Sequence, residues 1–125
     1  MNRRAAPAAP TMLAVVDMGS NSFRLEVGRV EGDQIFRLDP WRENLRIGAS
    51  IDDRGRIVPE ARRAALACLA RFGERIKGLH PSAVRAVATN TFRVATNASK
   101  FLPQAERALG FPIDVITGRT CATPL

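Results

Sequence analysis

The chain has 125 residues, of which 46% are hydrophobic and 25% are charged, and these are the proportions of an ordinary globular domain. No apolar run is long enough to cross a bilayer, and the basic start lacks the apolar core of a signal peptide, so we expect a cytoplasmic protein without a membrane partner. The two cysteines, Cys68 and Cys121, form no disulfide or zinc pattern. The net charge of +7 favours polyanions, but no nucleic-acid module accompanies it, so no specific nucleic-acid partner is expected.

An apolar strand and a polar turn follow an expected disordered arm at residues 1–11. The β-branched pair Val15 and Val16 favours a buried strand, which ends at Asp17. The next residues place a glycine, an amide and two hydroxyls in one turn: Gly19, Ser20, Asn21 and Ser22. Backbone N–H groups in such a turn can form an anion site, and Asp17 beside it can hold a hydrated Mg²⁺. A plain polar hairpin turn explains the same residues, so both interpretations stay open here.

The remaining elements alternate between strands and helices. Alternating side chains predict a second strand over 22–30, a hairpin turn at 31–34, and a third strand over 34–38 that is interrupted at 40–41 and continued over 43–47. Helical spacing and terminal residues predict a helix from Pro59 to Gly78, a strand over 83–89, a helix capped by Asn97 and ended by Gly110, and a strand over 113–117. This order predicts an α/β layered domain.

Four segments carry a family resemblance: Asp17 to Leu25, Glu43 to Gly48, Ala88 to Ala95 with Asn97, and Leu109 to Gly118. They resemble the exopolyphosphatase / guanosine pentaphosphate phosphohydrolase family, and the first of them is similar to the family's first phosphate loop. The Asp-x-Gly loop is common to the superfamily of acetate kinases, sugar kinases, heat-shock ATPases and actin, whereas the Ser-Asn-Ser continuation is more particular to the phosphohydrolases. The resemblance implies a ribonuclease-H-like half-domain over residues 12–118, with three antiparallel strands followed by helix, strand, helix and strand.

The resemblance implies hydrolysis of the terminal phosphoanhydride of inorganic polyphosphate or guanosine pentaphosphate, with Mg²⁺ as cofactor. It also implies a homodimer for full-length family members. Asp17 would position the Mg²⁺. The implied phosphate ligands are the turn residues and one arginine: Gly19, Ser20, Asn21, Ser22 and Arg93. A surface position or a salt bridge is the alternative for Arg93. Arg46 also matches a family position and is equally well explained as a solvent-facing strand residue.

The resemblance ends at Gly118. Family members continue into a pair of glutamates, one of which activates the attacking water, whereas this chain continues with Arg119, Thr120 and Cys121 in a divergent tail over 119–125. No catalytic residue of the family is therefore present, and the second phosphate loop is also missing. We expect a truncated or frame-shifted form of a longer protein, with negligible activity by itself.

Two other functions remain open from the residues alone. One is a sugar- or acetate-kinase-like phosphotransferase that shares the Asp-x-Gly loop. The other is a non-catalytic remnant that binds anions. Polyphosphate and guanosine pentaphosphate cannot be separated as substrates, because both end in the same phosphoanhydride.

Overall fold

The computed structural model describes residues 11–38, 40–89, 92 and 96–116, and within these residues six strands form one sheet. The strands are β1 (Thr11–Met18), β2 (Ser22–Glu31), β3 (Gln34–Arg37), β4 (Trp41–Asn44), β5 (Val84–Ala88) and β6 (Asp114–Val115). Two helices in the same residues are α1 (Pro59–Ile76) and α2 (Ala98–Leu109). The sheet order is β3-β2-β1-β5-β6, with β4 also paired to β2. The predicted order of antiparallel strands followed by helix, strand, helix and strand is confirmed.

The central strand β1 separates a covered face of the sheet from an open one. It pairs antiparallel with β2 and parallel with β5. Ala14, Val16 and Met18 are buried and belong to the core that also contains the inner faces of both helices. The alternate side chains Leu13 and Val15 are exposed on the opposite face. Both helices therefore cover one face of the sheet and leave the other face open.

The interruption of the third strand is confirmed at Pro40 but not at Trp41, which is the first residue of β4, and the continuation begins and ends earlier than predicted. β4 begins at Trp41 and ends at Asn44, and both β3 and β4 pair with β2. Leu45 does not continue the ladder because its amide donates instead to the carbonyl of Asn21. The predicted strand over 43–47 therefore turns into a loop after Asn44.

Helix α1 begins at Pro59 as predicted, because proline suits the first helical position. Its buried face includes Gly73, which lies against the end of α2. A Cβ atom at Gly73 would lie 2.5 Å from the carbonyl oxygen of Leu109, so the close approach of the two helices requires glycine there. Helix α2 ends at Leu109 and is followed by Gly110, which has the left-handed φ of 90° expected of a C-terminal glycine.

The predicted cap of α2 is correct in position but not in the side-chain role. Asn97 precedes the helix, yet its side chain makes no capping hydrogen bond. Its Oδ1 accepts from the Ile57 amide and its Nδ2 donates to the Ile57 carbonyl, each at 3.1 Å. Asn97 thereby ties the start of α2 to the segment before α1.

Several predictions concern residues outside the described ranges. These are the arm over residues 1–10, Arg93 and most of the segment at 90–95, and the tail with Gly118 and Cys121. Thr11, the last residue of the predicted arm, is the first residue of β1. No helix in the described part of the chain is long and apolar enough to cross a membrane.

Candidate functional site

The turn between β1 and β2 is held by backbone hydrogen bonds from two sides. Gly19 donates to the carbonyl of Ser22 at 3.0 Å and closes the turn. The carbonyl of Ser20 accepts from Gly48 at 2.8 Å. The carbonyl of Asn21 accepts from the amides of the two residues after β4, Leu45 at 2.9 Å and Arg46 at 2.8 Å. The segment 45–48 is thus fastened to the outside of the turn.

These hydrogen bonds determine which turn amides can face a ligand. Since a trans peptide unit holds its N–H opposite its C=O, the amides of Asn21 and Ser22 point away from segment 45–48. The Gly19 amide is engaged inside the turn. Gly19 contributes space instead, because a Cβ atom there would lie 3.1 Å from the Ser22 carbonyl oxygen. The turn therefore directs the amides of Asn21 and Ser22 away from segment 45–48, and Gly19 allows the tight bend.

Asp17 lies at the end of β1 on the open face of the sheet and is exposed. Its cross-strand partner Arg24 forms an ion pair with Glu26 at 2.9 Å instead. Among the described residues, the Asp17 carboxylate takes part in no hydrogen bond or salt bridge. It is therefore available to a ligand two residues before the turn.

This setting fits a hydrated Mg²⁺ better than a metal held by protein alone. Within the described ranges, no group of three or more His, Cys, Asp or Glu side chains could hold an ion. Mg²⁺ commonly takes one or two carboxylates and completes its shell with water and phosphate oxygens. Asp17 can supply such a carboxylate, and a phosphorylated ligand in the turn would supply the other oxygens.

Arg46 occupies an unusual backbone conformation beside the turn. Its φ is 52°, the left-handed region that residues other than glycine rarely adopt. Its amide donates to Asn21, and its carbonyl accepts from Ala49 at 3.1 Å and from the Ser50 hydroxyl at 2.9 Å. The alternative interpretation of Arg46 as a solvent-facing strand residue is correct in its exposure, but wrong in its strand, because β4 ends at Asn44. Such strained residues, held in place by their surroundings, are concentrated at functional sites.

The end of β5 lies next to the end of β1. The amide of Thr89 donates to the Met18 carbonyl at 3.1 Å, and Phe92 donates back to Thr89 at 3.0 Å. The Phe92 ring is buried between Phe23, at 5.8 Å between ring centroids, and Phe101, at 5.5 Å. The Thr89 hydroxyl is buried and has no hydrogen-bond partner among the described atoms. The segment that leads to Arg93 thus starts beside the turn, while a contact between Arg93 and the turn stays a prediction.

An ion pair joins β4, the strand before segment 45–48, to α1. Arg71 Nε donates to Glu43 Oε2 at 2.8 Å, and the Arg71 terminal nitrogen contacts the other carboxylate oxygen. The hydrogen bond from Arg71 lowers the pKa of Glu43. Burial, together with the nearby Glu43 carboxylate, raises the pKa of the Cys68 thiol to about 12. Cys68 is therefore a protonated core thiol and not a nucleophile. Sequence reasoning missed this ion pair, because its partners are 28 residues apart.

Comparisons with known proteins agree on one family. The family model of the Ppx/GppA phosphatases matches residues 27–123, so the likeness continues beyond Gly118, where it was predicted to end. The crystal structure of the Aquifex aeolicus member of the Ppx/GppA family is 25% identical, with a TM-score of 0.79 over 88% of this chain and 36% of that chain. An exopolyphosphatase-like protein is 30% identical, with a TM-score of 0.76 over 90% of this chain and 34% of that one.

An exopolyphosphatase from Cytophaga hutchinsonii shares the fold at 23% identity, with a TM-score of 0.78 over 87% of this chain and 35% of that chain. The chain thus spans about a third of the length of the solved structures it matches. The predicted ribonuclease-H-like half-domain is confirmed by these likenesses, and so is the predicted family resemblance.

Proposed function

Because this chain belongs to the Ppx/GppA phosphatase family, we propose that it carries the first phosphate-binding part of a hydrolase for terminal phosphoanhydrides. The proposed substrates are inorganic polyphosphate and guanosine pentaphosphate, which present the same terminal group. The observation that carries the proposal is the geometry of the turn after β1. Its Asn21 and Ser22 amides point away from segment 45–48, and the Asp17 carboxylate beside it has no competing ion pair among the described residues.

Each group at the turn has a defined role in this proposal. The amides of Asn21 and Ser22 and the serine hydroxyls bind the terminal phosphoryl oxygens, whose charge increases as the anhydride bond breaks. Arg46 and Arg93 supply cationic partners with a forked geometry that matches phosphate oxygens. Asp17 holds Mg²⁺, which neutralises charge on the phosphate oxygens when it is bound.

The attacking water needs a base, and the family's glutamate has no counterpart at Arg119, Thr120 and Cys121. Removal of a general base typically lowers a rate by roughly 10²–10⁴. We therefore propose that the 125-residue chain binds phosphates but hydrolyses them at a negligible rate. An anion-binding protein without turnover is thus the second candidate function. It is favoured because Arg119, Thr120 and Cys121 stand where the resemblance places the catalytic glutamate.

The test measures binding and turnover on the same sample. Tripolyphosphate binding is measured by calorimetry with Mg²⁺, and orthophosphate release from polyphosphate and guanosine pentaphosphate is measured without any acceptor. We expect saturable binding and no release above the protein-free rate. Acceptor-dependent phosphate transfer would identify a phosphotransferase instead, and absence of binding would overturn the proposal.

A further inference from the structure

A cavity lies where the starts of both helices meet the segment before α1. We call it the helix-start cavity and define it by the residues that line it: Asp52, Arg56, Ile57, Pro59, Arg62, Thr96, Asn97, Ser99 and Lys100. Its volume is about 440 Å³. Ligand pockets in proteins measure roughly 300–1,000 Å³, so this cavity can hold a molecule larger than a single small ion.

The lining of the helix-start cavity is cationic. Arg56, Arg62 and Lys100 line it together with a single carboxylate, Asp52. That carboxylate is already engaged: it accepts from the amides of Arg54 and Arg56, both at 2.9 Å, and from the Arg56 guanidinium at 3.3 Å. In the part of the chain that the structure describes, neither Arg62 nor Lys100 forms a salt bridge. Two cations without a partner carboxylate therefore line the same cavity.

The two helix starts add positive potential to these cations. Neither the residue before α1 nor Asn97 before α2 caps its helix with a side chain. Asn97 is occupied by its two hydrogen bonds to Ile57, which also hold the two helix starts together. The aligned peptide dipoles make the start of a helix positive, and its first amides lack intrahelical acceptors. In α1 this effect is reduced, because Pro59 has no N–H and Glu60 lies in the first turn. In α2 the Lys100 amide donates to the Asn97 carbonyl at 3.1 Å, which leaves the amides of Ala98 and Ser99. The lining cations and the start of α2, whose first turn has no acidic residue, thus attract the same kind of ligand, a compact anion with several charges.

We propose that the helix-start cavity is a second binding site, for a chain of linked phosphates, distinct from the turn after β1. A chain of linked phosphates is large enough to occupy the cavity. Its closely spaced negative charges can form ion pairs with both Arg62 and Lys100. The shared chemistry is an oligophosphate, whether free or attached to a nucleoside. This inference rests on the charges that line the cavity and not on hydrolysis. It can therefore be correct or wrong independently of the proposed function.

The test compares two double variants that each remove two positive charges. R62A/K100A removes the cations of the cavity, whereas R63A/K77A removes an arginine and a lysine from exposed positions outside it. Tripolyphosphate binding is followed by the amide NMR signals of Ser99 and Lys100 in the full chain, with sulfate as the single-anion reference. Signals of Asn21 and Ser22 report the turn independently in the same titration.

We expect saturable shifts of the Ser99 signal in the wild-type chain and in R63A/K77A, with dissociation constants within about twofold of each other. In R62A/K100A the dissociation constant at Ser99 should rise by about tenfold or more. Its unchanged spectrum elsewhere would show that it is folded, and R62Q/K100Q provides the same comparison should the alanine variant unfold. ATP in place of tripolyphosphate distinguishes a nucleotide from a free phosphate chain as the source of the linked phosphates.

Three results would overturn the proposal. The first is no shift at Ser99 at saturating tripolyphosphate, whatever happens at the turn. The second is an equal loss of affinity in both double variants, which would indicate diffuse attraction to a basic surface. The third is sulfate binding as tightly as tripolyphosphate, which would indicate a site for any small anion.

Discussion

The amide of Arg46 donates to the carbonyl of Asn21 at 2.8 Å and joins the tip of the turn after β1 to the loop after β4. This hydrogen bond holds Arg46 in its left-handed conformation and orients the Asn21 peptide. This hydrogen bond therefore accounts both for the strained backbone of Arg46 and for the direction of the Ser22 amide, which follows Asn21. Substitutions of Arg46 can separate the effect of its backbone strain on stability from the effect of its guanidinium on phosphate binding.

Arg46→Gly and Arg46→Ala should differ in stability but not in binding. Glycine adopts φ near 52° without strain, so R46G should be more stable to urea than R46A by about 1 kcal/mol. Both variants lack the guanidinium, so both should weaken tripolyphosphate binding at the turn by about tenfold. Wild-type affinity in both variants would remove Arg46 from the proposed phosphate site.

Asp17→Asn should abolish the contribution of Mg²⁺ to phosphate binding. We expect Mg²⁺ to tighten tripolyphosphate binding to the wild-type turn by roughly tenfold, and to have little effect in D17N, because an amide is a poorer Mg²⁺ ligand than a carboxylate. Asp33→Asn in the exposed turn after β2 is the matched control, since it removes the same charge from another exposed position. An equal Mg²⁺ effect in D17N and D33N would refute the role of Asp17.

Gly73→Ala should destabilise the chain, although alanine is the better helix former. The added Cβ would lie 2.5 Å from the Leu109 carbonyl oxygen, so the two helices must move apart. Overpacking costs about 1–3 kcal/mol, and because the clash is with a backbone oxygen we expect a cost in the upper part of that range, above the gain of about 1 kcal/mol in helix propensity. Urea unfolding followed by circular dichroism measures the difference. A variant as stable as the wild type, or more stable, would contradict the close helix contact.

Cys68 should be unreactive while the chain is folded. Because its pKa is raised to about 12, the thiol is protonated at pH 8 and buried. In a C121S background, a thiol reagent should therefore modify no cysteine in the native chain and one in urea. The folded state also retains this proton above the ordinary thiol pKa of about 8.5, so unfolding should become easier as the pH rises from there towards 12. Rapid native labelling at pH 8 would show that the thiol is not enclosed.

Local patterns predicted the elements of this fold well. The β-branched residues before Asp17 favour a strand, and Pro59 favours the start of a helix, whatever residues lie far away in the chain. The structure accordingly has β1 and the start of α1 where they were predicted. The end of α2 at Gly110 follows in the same way from the conformational freedom of glycine. Such features can be read from a short window because their physical cause lies within it.

Features that depend on distant partners were not predicted. The side chain of Asn97 was expected to cap α2, but it forms hydrogen bonds with Ile57, which is 40 positions away. The sequence around Asn97 contains no sign of that distant partner. The left-handed Arg46 results from contacts with the turn, and no local pattern marks it. Each of these differences arises where two loops meet.

The central claim is that the turn after β1 presents its amides to a phosphate. An NMR titration of the 125-residue chain with tripolyphosphate and Mg²⁺ tests it most directly, with the amides of Asn21 and Ser22 as reporters and those of the turn at Gly32 and Asp33 as the reference. We predict large, saturable shifts at Asn21 and Ser22 and none at Gly32 and Asp33. Unchanged Asn21 and Ser22 signals at saturating ligand would contradict the account.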